Sequence, residues 1–178
     1  EHTLALARAT HEDSLFWELQ RIRYKAGKIS YMNRKHYMIA DWIADSKYAK
    51  IIPMAGDTTI QRTMPKVDFF KAKGLKYTVN GESKDVPMDL RYLPYDKALE
   101  FAGKPYSGPM MVIGVAFVGK SEKIDATHTG FVVLRNGELP VLRHASSLRK
   151  QVIEQPFGEY LESRRGKLPG VTLFEFVQ

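Results

Sequence analysis

Apolar and polar residues alternate with two different periods along this chain, helical at first and strand-like later. Residues 1–9 have helical composition, with Leu4, Ala5, Leu6 and Ala7 in one run. Thr10-His11-Glu12-Asp13 is a polar break in which Thr10 or Asp13 can cap the next helix. Leu15, Phe16, Leu19 and Ile22 then recur at helical spacing, which predicts an amphipathic helix over 12–25, with Gly27 suited to its end. Ile29-Ser30-Tyr31 reads as short and extended, and Tyr37, Ile39, Trp42 and Ile43 predict a third helical segment reaching Tyr48. From 51 to 65 the pattern is irregular, punctuated by Pro53, Gly56 and Pro65. Residues 75–79 lead into Asn80-Gly81, a tight-turn pair that predicts a hairpin, and 96–101 reads as a short helix before Gly103.

After Gly108-Pro109 the period shortens. Residues 110–118 form the longest apolar run and suit a buried strand. Residues 131–134 and 140–143 pair across Asn136-Gly137, 157–164 is a short helix, and 171–177 alternates as a closing strand. Helices first and an antiparallel sheet afterwards make the expected class α+β. No repeat, low-complexity tract or linker divides residues 1–178, which read as one domain.

Composition narrows the function classes. With 178 residues, 44% of them hydrophobic, the chain can bury a sizeable core. No apolar run approaches the roughly 18 residues of a helical membrane span. The net charge of +7 is scattered from end to end. It suits an acidic polymer such as peptidoglycan as well as nucleic acid or anionic lipid. The densest basic run, Arg164-Arg165-Gly166-Lys167, reads as a solvated turn, and no Gly-rich phosphate loop is present, so nucleic acid is not an expected partner. The count of zero cysteines removes disulfides, thiolate metal sites and a cysteine nucleophile from these residues. Glu1 opens onto helical composition with no capping residue before it, so it is expected to lie inside a helix that begins upstream.

The candidate chemistry lies in His128 and His144. The predicted hairpin sets them on adjacent strands, with Thr127, Thr129 and Gly130 beside the first. A neutral imidazole takes a proton from a nucleophile with one nitrogen while a partner on the other fixes its tautomer, and a second histidine can be that partner. Zinc would need three or four ligands. Asp125 is the candidate third, but no compact ligand cluster exists, so neither a metal nor another cofactor is expected. His2 and His11 have no partner of note.

Four motifs in order resemble a bacterial family of N-acetylmuramoyl-L-alanine amidases in the NlpC-type, papain-like cysteine peptidase superfamily. They are Glu1-His2-Thr3-Leu4-Ala5-Leu6-Ala7; Ile22-Arg23-Tyr24 with Arg34-Lys35-His36-Tyr37 and Asp41-Trp42-Ile43; His128-Thr129-Gly130; and His144-Ala145-Ser146. The resemblance implies a papain-like fold, with His128 as general base and His144 orienting it. It places the nucleophilic cysteine five residues before Glu1, at the N-terminus of the first helix, so these residues alone are expected to be inert. It also implies cleavage of the muramoyl–L-alanine bond of peptidoglycan fragments, anhydro-muropeptides in particular, and an extracytoplasmic, periplasmic location. Arg34, Tyr37, Asp41 and Trp42 are the candidate substrate contacts, since aromatic faces and forked polar groups hold sugars and Arg suits a stem-peptide carboxylate. The alternative is that Tyr37 and Trp42 are core residues. His36 is structural or lines the cleft, and Ser146 and Ser147 are expected to cap a turn. Two rival functions stay open: a γ-D-glutamyl-diamino-acid endopeptidase using the same histidines, and a non-enzymatic peptidoglycan-binding module.

Overall fold

The computed structural model describes residues 1–45 and 47–177. Five short α-helices, α1 (His2–Arg8), α2 (Glu12–Arg23), α3 (Lys66–Lys71), α4 (Tyr95–Ala102) and α5 (Phe157–Ser163), accompany an eight-stranded sheet. The strands are β1 (Ala49–Ile51), β2 (Thr58–Met64), β3 (Val86–Pro94), β4 (Met111–Val118), β5 (Ala126–Leu134), β6 (Val141–Ser146), β7 (Gln151–Pro156) and β8 (Gly170–Phe176). The order is β2-β3-β8-β4-β5-β6-β7, with β1 also on β8, and every pairing is antiparallel. The fold is α+β, as the two periods predict.

Period-two alternation sorts the strand residues into two cores. Ile113, Val115 and Phe117 of β4, with Val132 and Leu134 of β5, face a layer made by α4 and α5, where Ala98, Phe157 and Leu161 are buried. Ala116 and Val118 of β4 and Phe174 of β8 face Ala5 of α1, Ile22 of α2 and Trp42. At Gly114, opposite Phe174 in the β4–β8 register, an added Cβ would lie 2.1 Å from the Phe174 ring. The missing side chain is what lets that ring lie across the strand.

Several elements differ from the pattern reading. Residues 51–65 contain a regular strand, β2, whose buried Arg62 donates to the carbonyls of Gly119, Ser121 and Ile124 and so holds the β4–β5 connection. β1, β3, α3 and β7 also went unpredicted. The Asn80-Gly81 turn forms with positive φ at both residues, but the hairpin around it shrinks to one bridge, Val79 with Glu82. Ile29-Ser30-Tyr31 is not in a strand. The α2 start is held by Ser14, whose Oγ accepts from the N–H groups of Thr10 and His11, rather than by a Thr10 or Asp13 cap. Phe16 is 74% exposed, so the buried stripe of α2 runs through Leu15, Leu19 and Ile22 instead.

The third helical segment is a π-helix over Met38–Ile43, in which the Trp42 N–H donates to the Tyr37 carbonyl and the Ala44 N–H to that of Ile39. The wider turn leaves its first N–H groups pointing at the start of β5. Asp125, 2% exposed, accepts there from Ile39 at 2.5 Å and Ala40 at 2.8 Å through Oδ2, and from Ala126 at 2.7 Å through Oδ1. The carboxylate read as a candidate metal ligand is therefore a backbone clasp joining the helical layer to the strand that carries His128. Replacing Asp125 with Ala should strand three N–H groups and cost about 2–4 kcal/mol of stability. Urea denaturation of D125A measures this, and a loss below about 0.5 kcal/mol would mean that the backbone finds other acceptors.

Candidate active site

His128 pairs with Phe117 across the β4–β5 ladder, so both side chains emerge on the α5 side of the sheet. Continuing the β5–β6 register places Gly130 opposite His144. A Cβ at Gly130 would meet the Arg143 carbonyl oxygen and Leu142 Cδ1 at 3.0 Å and His144 Cβ at 3.1 Å. Glycine there lets β6 close in, and the His128 Nε2 to His144 Nδ1 distance falls to 2.8 Å with the rings nearly perpendicular. Tyr160 of α5 closes the group from the helical side, its ring centroid 5.0 Å from that of His144 and 5.9 Å from that of His128. The structure thus brings together the two histidines that the hairpin predicts.

A third strand joins them. Gln155 of β7 has its side-chain Nε2 3.4 Å from His144 Nε2, and the amide can turn to present its oxygen instead. The row His128, His144, Gln155 crosses three neighbouring strands, and its direction sets what the first ring offers. If the Gln155 amide oxygen faces His144, then His144 Nε2 donates to it, His128 Nε2 donates to His144 Nδ1, and His128 Nδ1 is left as a free base. Rotation of the amide reverses the row and puts the proton on that nitrogen. No sequence signal marked Gln155, because only the β6–β7 register aligns it.

Both imidazoles titrate below the usual histidine value of about 6.5. For His128 burial is the largest cause, followed by the neighbouring His144 and then Arg164. For His144 burial again leads, with a backbone contact at Ala145 acting against it and Arg164 adding to it. Both rings are therefore neutral at neutral pH, the state a proton acceptor needs.

The histidines open into a cavity of about 530 Å³. Its walls come from the β6–β7 turn, Ser146 to Arg149, and from the end of α5 and the residues after it, Ser163, Arg164, Lys167 and Leu168. The run read as a solvated turn is thus part of the site wall, although Arg165 within it turns away to Glu162. Ser146 Oγ accepts from the Arg149 N–H at 3.2 Å, a turn-holding bond.

None of Arg34, Tyr37, Asp41 and Trp42, the candidate substrate contacts, lines this cavity. Arg34 forms a backbone bridge with Tyr24. Asp41, 4% exposed, accepts from the His36 and Tyr37 N–H groups and from the buried ammonium of Lys66. The Tyr37 hydroxyl is pushed up to about 12 by burial first and then by Asp125, Asp41 and Asp85, so it stays protonated. Trp42 is core, 4% exposed, its ring 6.1 Å from that of Phe174. The π-helix turns Asp41 and Trp42 inward, and Trp42 packs in the core with Phe174 and α1. His36 is structural, its Nε2 2.8 Å from the Tyr31 carbonyl and its ring among Tyr31, Phe69 and Phe70.

α1 belongs to the same layer as Trp42. Its first turn, Glu1 to Leu4, forms one wall of a second cavity of about 650 Å³, whose other walls include Trp42, Phe131 and Phe174. Thr129, Gly130 and His144 reach that cavity as well, and His144 and Ala145 line both cavities.

Comparison with known proteins decides the family. The model of the N-acetylmuramoyl-L-alanine amidase-like family matches residues 1–168. This chain belongs to that family. Among solved structures it is similar to a Legionella pneumophila protein, with TM-score 0.76 and 19% identity over 99% of this chain and 73% of that one. It is also similar to an N-acetylmuramoyl-L-alanine amidase from Bacteroides uniformis, with TM-score 0.71 and 23% identity over 99% of this chain and 80% of that one. At such identities the likeness carries the fold alone. No curated protein matches the chain. Among the described residues of this amidase-like chain, no helix is long and apolar enough to cross a membrane.

The lowered histidine values have a consequence for stability. Below about pH 6.5 the unfolded chain binds protons that the folded pair resists. Stability is therefore complete above that pH and falls as acid is added through the window below it. Urea denaturation between about pH 7.5 and pH 5 should show a shallower acid loss for His128→Gln than for the wild-type chain. An unchanged slope would mean that the pair does not resist protonation.

Proposed function

We propose that His128 is the general base, and His144 with Gln155 its positioning partners, of an N-acetylmuramoyl-L-alanine amidase acting on peptidoglycan fragments, anhydro-muropeptides in particular. The observation that carries this reading is the 2.8 Å contact between His128 Nε2 and His144 Nδ1 at the wall of an open cavity, in a chain of the amidase-like family. We further infer that residues 1–178 act as one catalytic unit, and that it works outside the cytoplasm, where its substrate arises.

The reading requires a nucleophile that these residues, with no cysteine, do not hold. The family resemblance assigns it to a cysteine preceding Glu1. In this mechanism His128 takes the thiol proton, the thiolate attacks the lactyl carbonyl, and the ring passes that proton to the alanine amine as the C–N bond breaks, leaving a thioester. Water, deprotonated by the same ring, then releases the acid. With the Gln155 amide turned so that its oxygen faces His144, the row of side chains keeps His128 Nδ1 unprotonated between steps. The 178 residues alone should turn over nothing.

A protein extended upstream through that cysteine, incubated with a disaccharide–anhydro-muropeptide, tests the reading by product mass. Free disaccharide plus intact stem peptide is expected. The activity should vanish in a Cys→Ala copy and fall by at least about 100-fold in His128→Ala. A dipeptide product would replace the amidase with the γ-D-glutamyl endopeptidase. No turnover of any muropeptide would leave a binding module on an amidase fold.

A further inference from the structure

The wall of the histidine cavity contains three cations, Arg149, Arg164 and Lys167, and neither Asp nor Glu. None of the three has an ion-pair partner among the described residues. Two nearby cations that do not line it are paired, Arg165 with Glu162 at 2.7 Å and Arg143 with Glu154 at 2.5 Å. Like charges around one concavity repel, and low-dielectric walls concentrate their field on whatever enters. The cost is offset when an anion sits among them.

Arg164 is held in place by the site itself. Its guanidinium lies 5.2 Å from the centroid of the Tyr160 ring, which packs on both imidazoles. Apolar surface lies alongside: Leu148, 91% exposed, and Ile153 share the wall. A space of about 530 Å³ with charge on some sides and hydrocarbon on others suits a short, extended chain, not the continuous backbone of a nucleic acid.

We propose that Arg164 and Lys167 on one side of this cavity and Arg149 on the other form a subsite for the carboxylates of an acidic peptide, held beside His128. The subsite deepens the amidase reading and rests on it for the identity of the peptide, which there is a stem peptide. Guanidinium and ammonium groups hold carboxylates through charge-assisted hydrogen bonds. An anion on Arg164 also cancels a charge that both imidazoles feel, so ligand binding and histidine titration are coupled.

The test uses the 178-residue chain, imidazole NMR, and three probes: N-acetyl-L-alanyl-D-glutamate, its uncharged diamide, and inorganic phosphate. The dicarboxylate should bind and move the His128 and His144 titrations to higher pH, and the diamide should do neither. The double variant R164Q/K167Q, both sites exposed, should weaken dipeptide binding at least about tenfold, while R165Q should leave it unchanged. Equal binding of the diamide, or undiminished binding by R164Q/K167Q, would overturn the subsite. Phosphate binding as tight as that of the dipeptide would overturn the peptide assignment. Because binding is read on a chain without a nucleophile, failure of the extended protein to cleave would remove the amidase reading and leave this subsite standing.

Discussion

The register between β5 and β6 is the constraint on which the rest of the molecule depends. Phe131 lies opposite Arg143, and Val132 opposite Leu142. A slip of one residue would turn every side chain of a strand to the other face. The same alternation that sends Val132, Leu134 and Leu142 into the core beneath α4 and α5 sends His128 and His144 out at the end of that face. The histidines are thus held by the burial of their neighbours, and no separate device is needed to align them. Gly130 completes the arrangement by leaving room for the approach of β6.

Buried charge is treated in two ways. On the α1–α2 side of the sheet three buried ionic groups have their partners: Asp125 takes three backbone N–H groups, Asp41 takes two and an ammonium, and Arg62 gives to three carbonyls. These bonds use the charge to tie layers together, and unpaired it would be costly. Around the histidine cavity the charges are exposed and facing open space. Structural charge and chemically available charge are separated by the thickness of the sheet.

Much of this was legible in the sequence where one residue type dominated. The apolar run of β4, the Asn136-Gly137 hairpin and a strand at β8 form as the pattern predicts, although β8 is buried on both faces between β3 and β4 and does not alternate as a closing strand. The strands that escaped notice are polar or short. β2 reads Thr-Thr-Ile-Gln-Arg-Thr-Met, and its buried arginine masks its inner face. β7 is partly exposed along its whole length and carries Gln and Glu among its few apolar positions. For the site, the histidines were readable because a hairpin sets adjacent strands side by side. Gln155, Tyr160 and Arg164 were not, because they reach the cavity through a third strand and a helix. Arg34, Tyr37, Asp41 and Trp42 do not line the His128 cavity, although Trp42 lines the one beside α1 that His144 also reaches. Closeness in sequence to an expected cleft says nothing about which side of a sheet a segment covers, and the π-helix turns Trp42 into the core on the α1–α2 side.

The place of β8 in the sheet bears on how the chain comes to be folded. It lies between β3 and β4, joining the β2–β3 pair to the β4-β5-β6-β7 meander, and it also receives β1. On the ribosome, synthesis reaches residues 170–176 after every other described strand has been made. Until then the two halves of the sheet expose the edges of β3 and β4, each a template for mispairing with another nascent copy. The histidine hairpin can form early from local contacts, but its sheet becomes continuous only after translation has passed β8. The burden on cellular chaperones should therefore fall in that interval, on a molecule whose chemistry is already laid out and whose middle is still open.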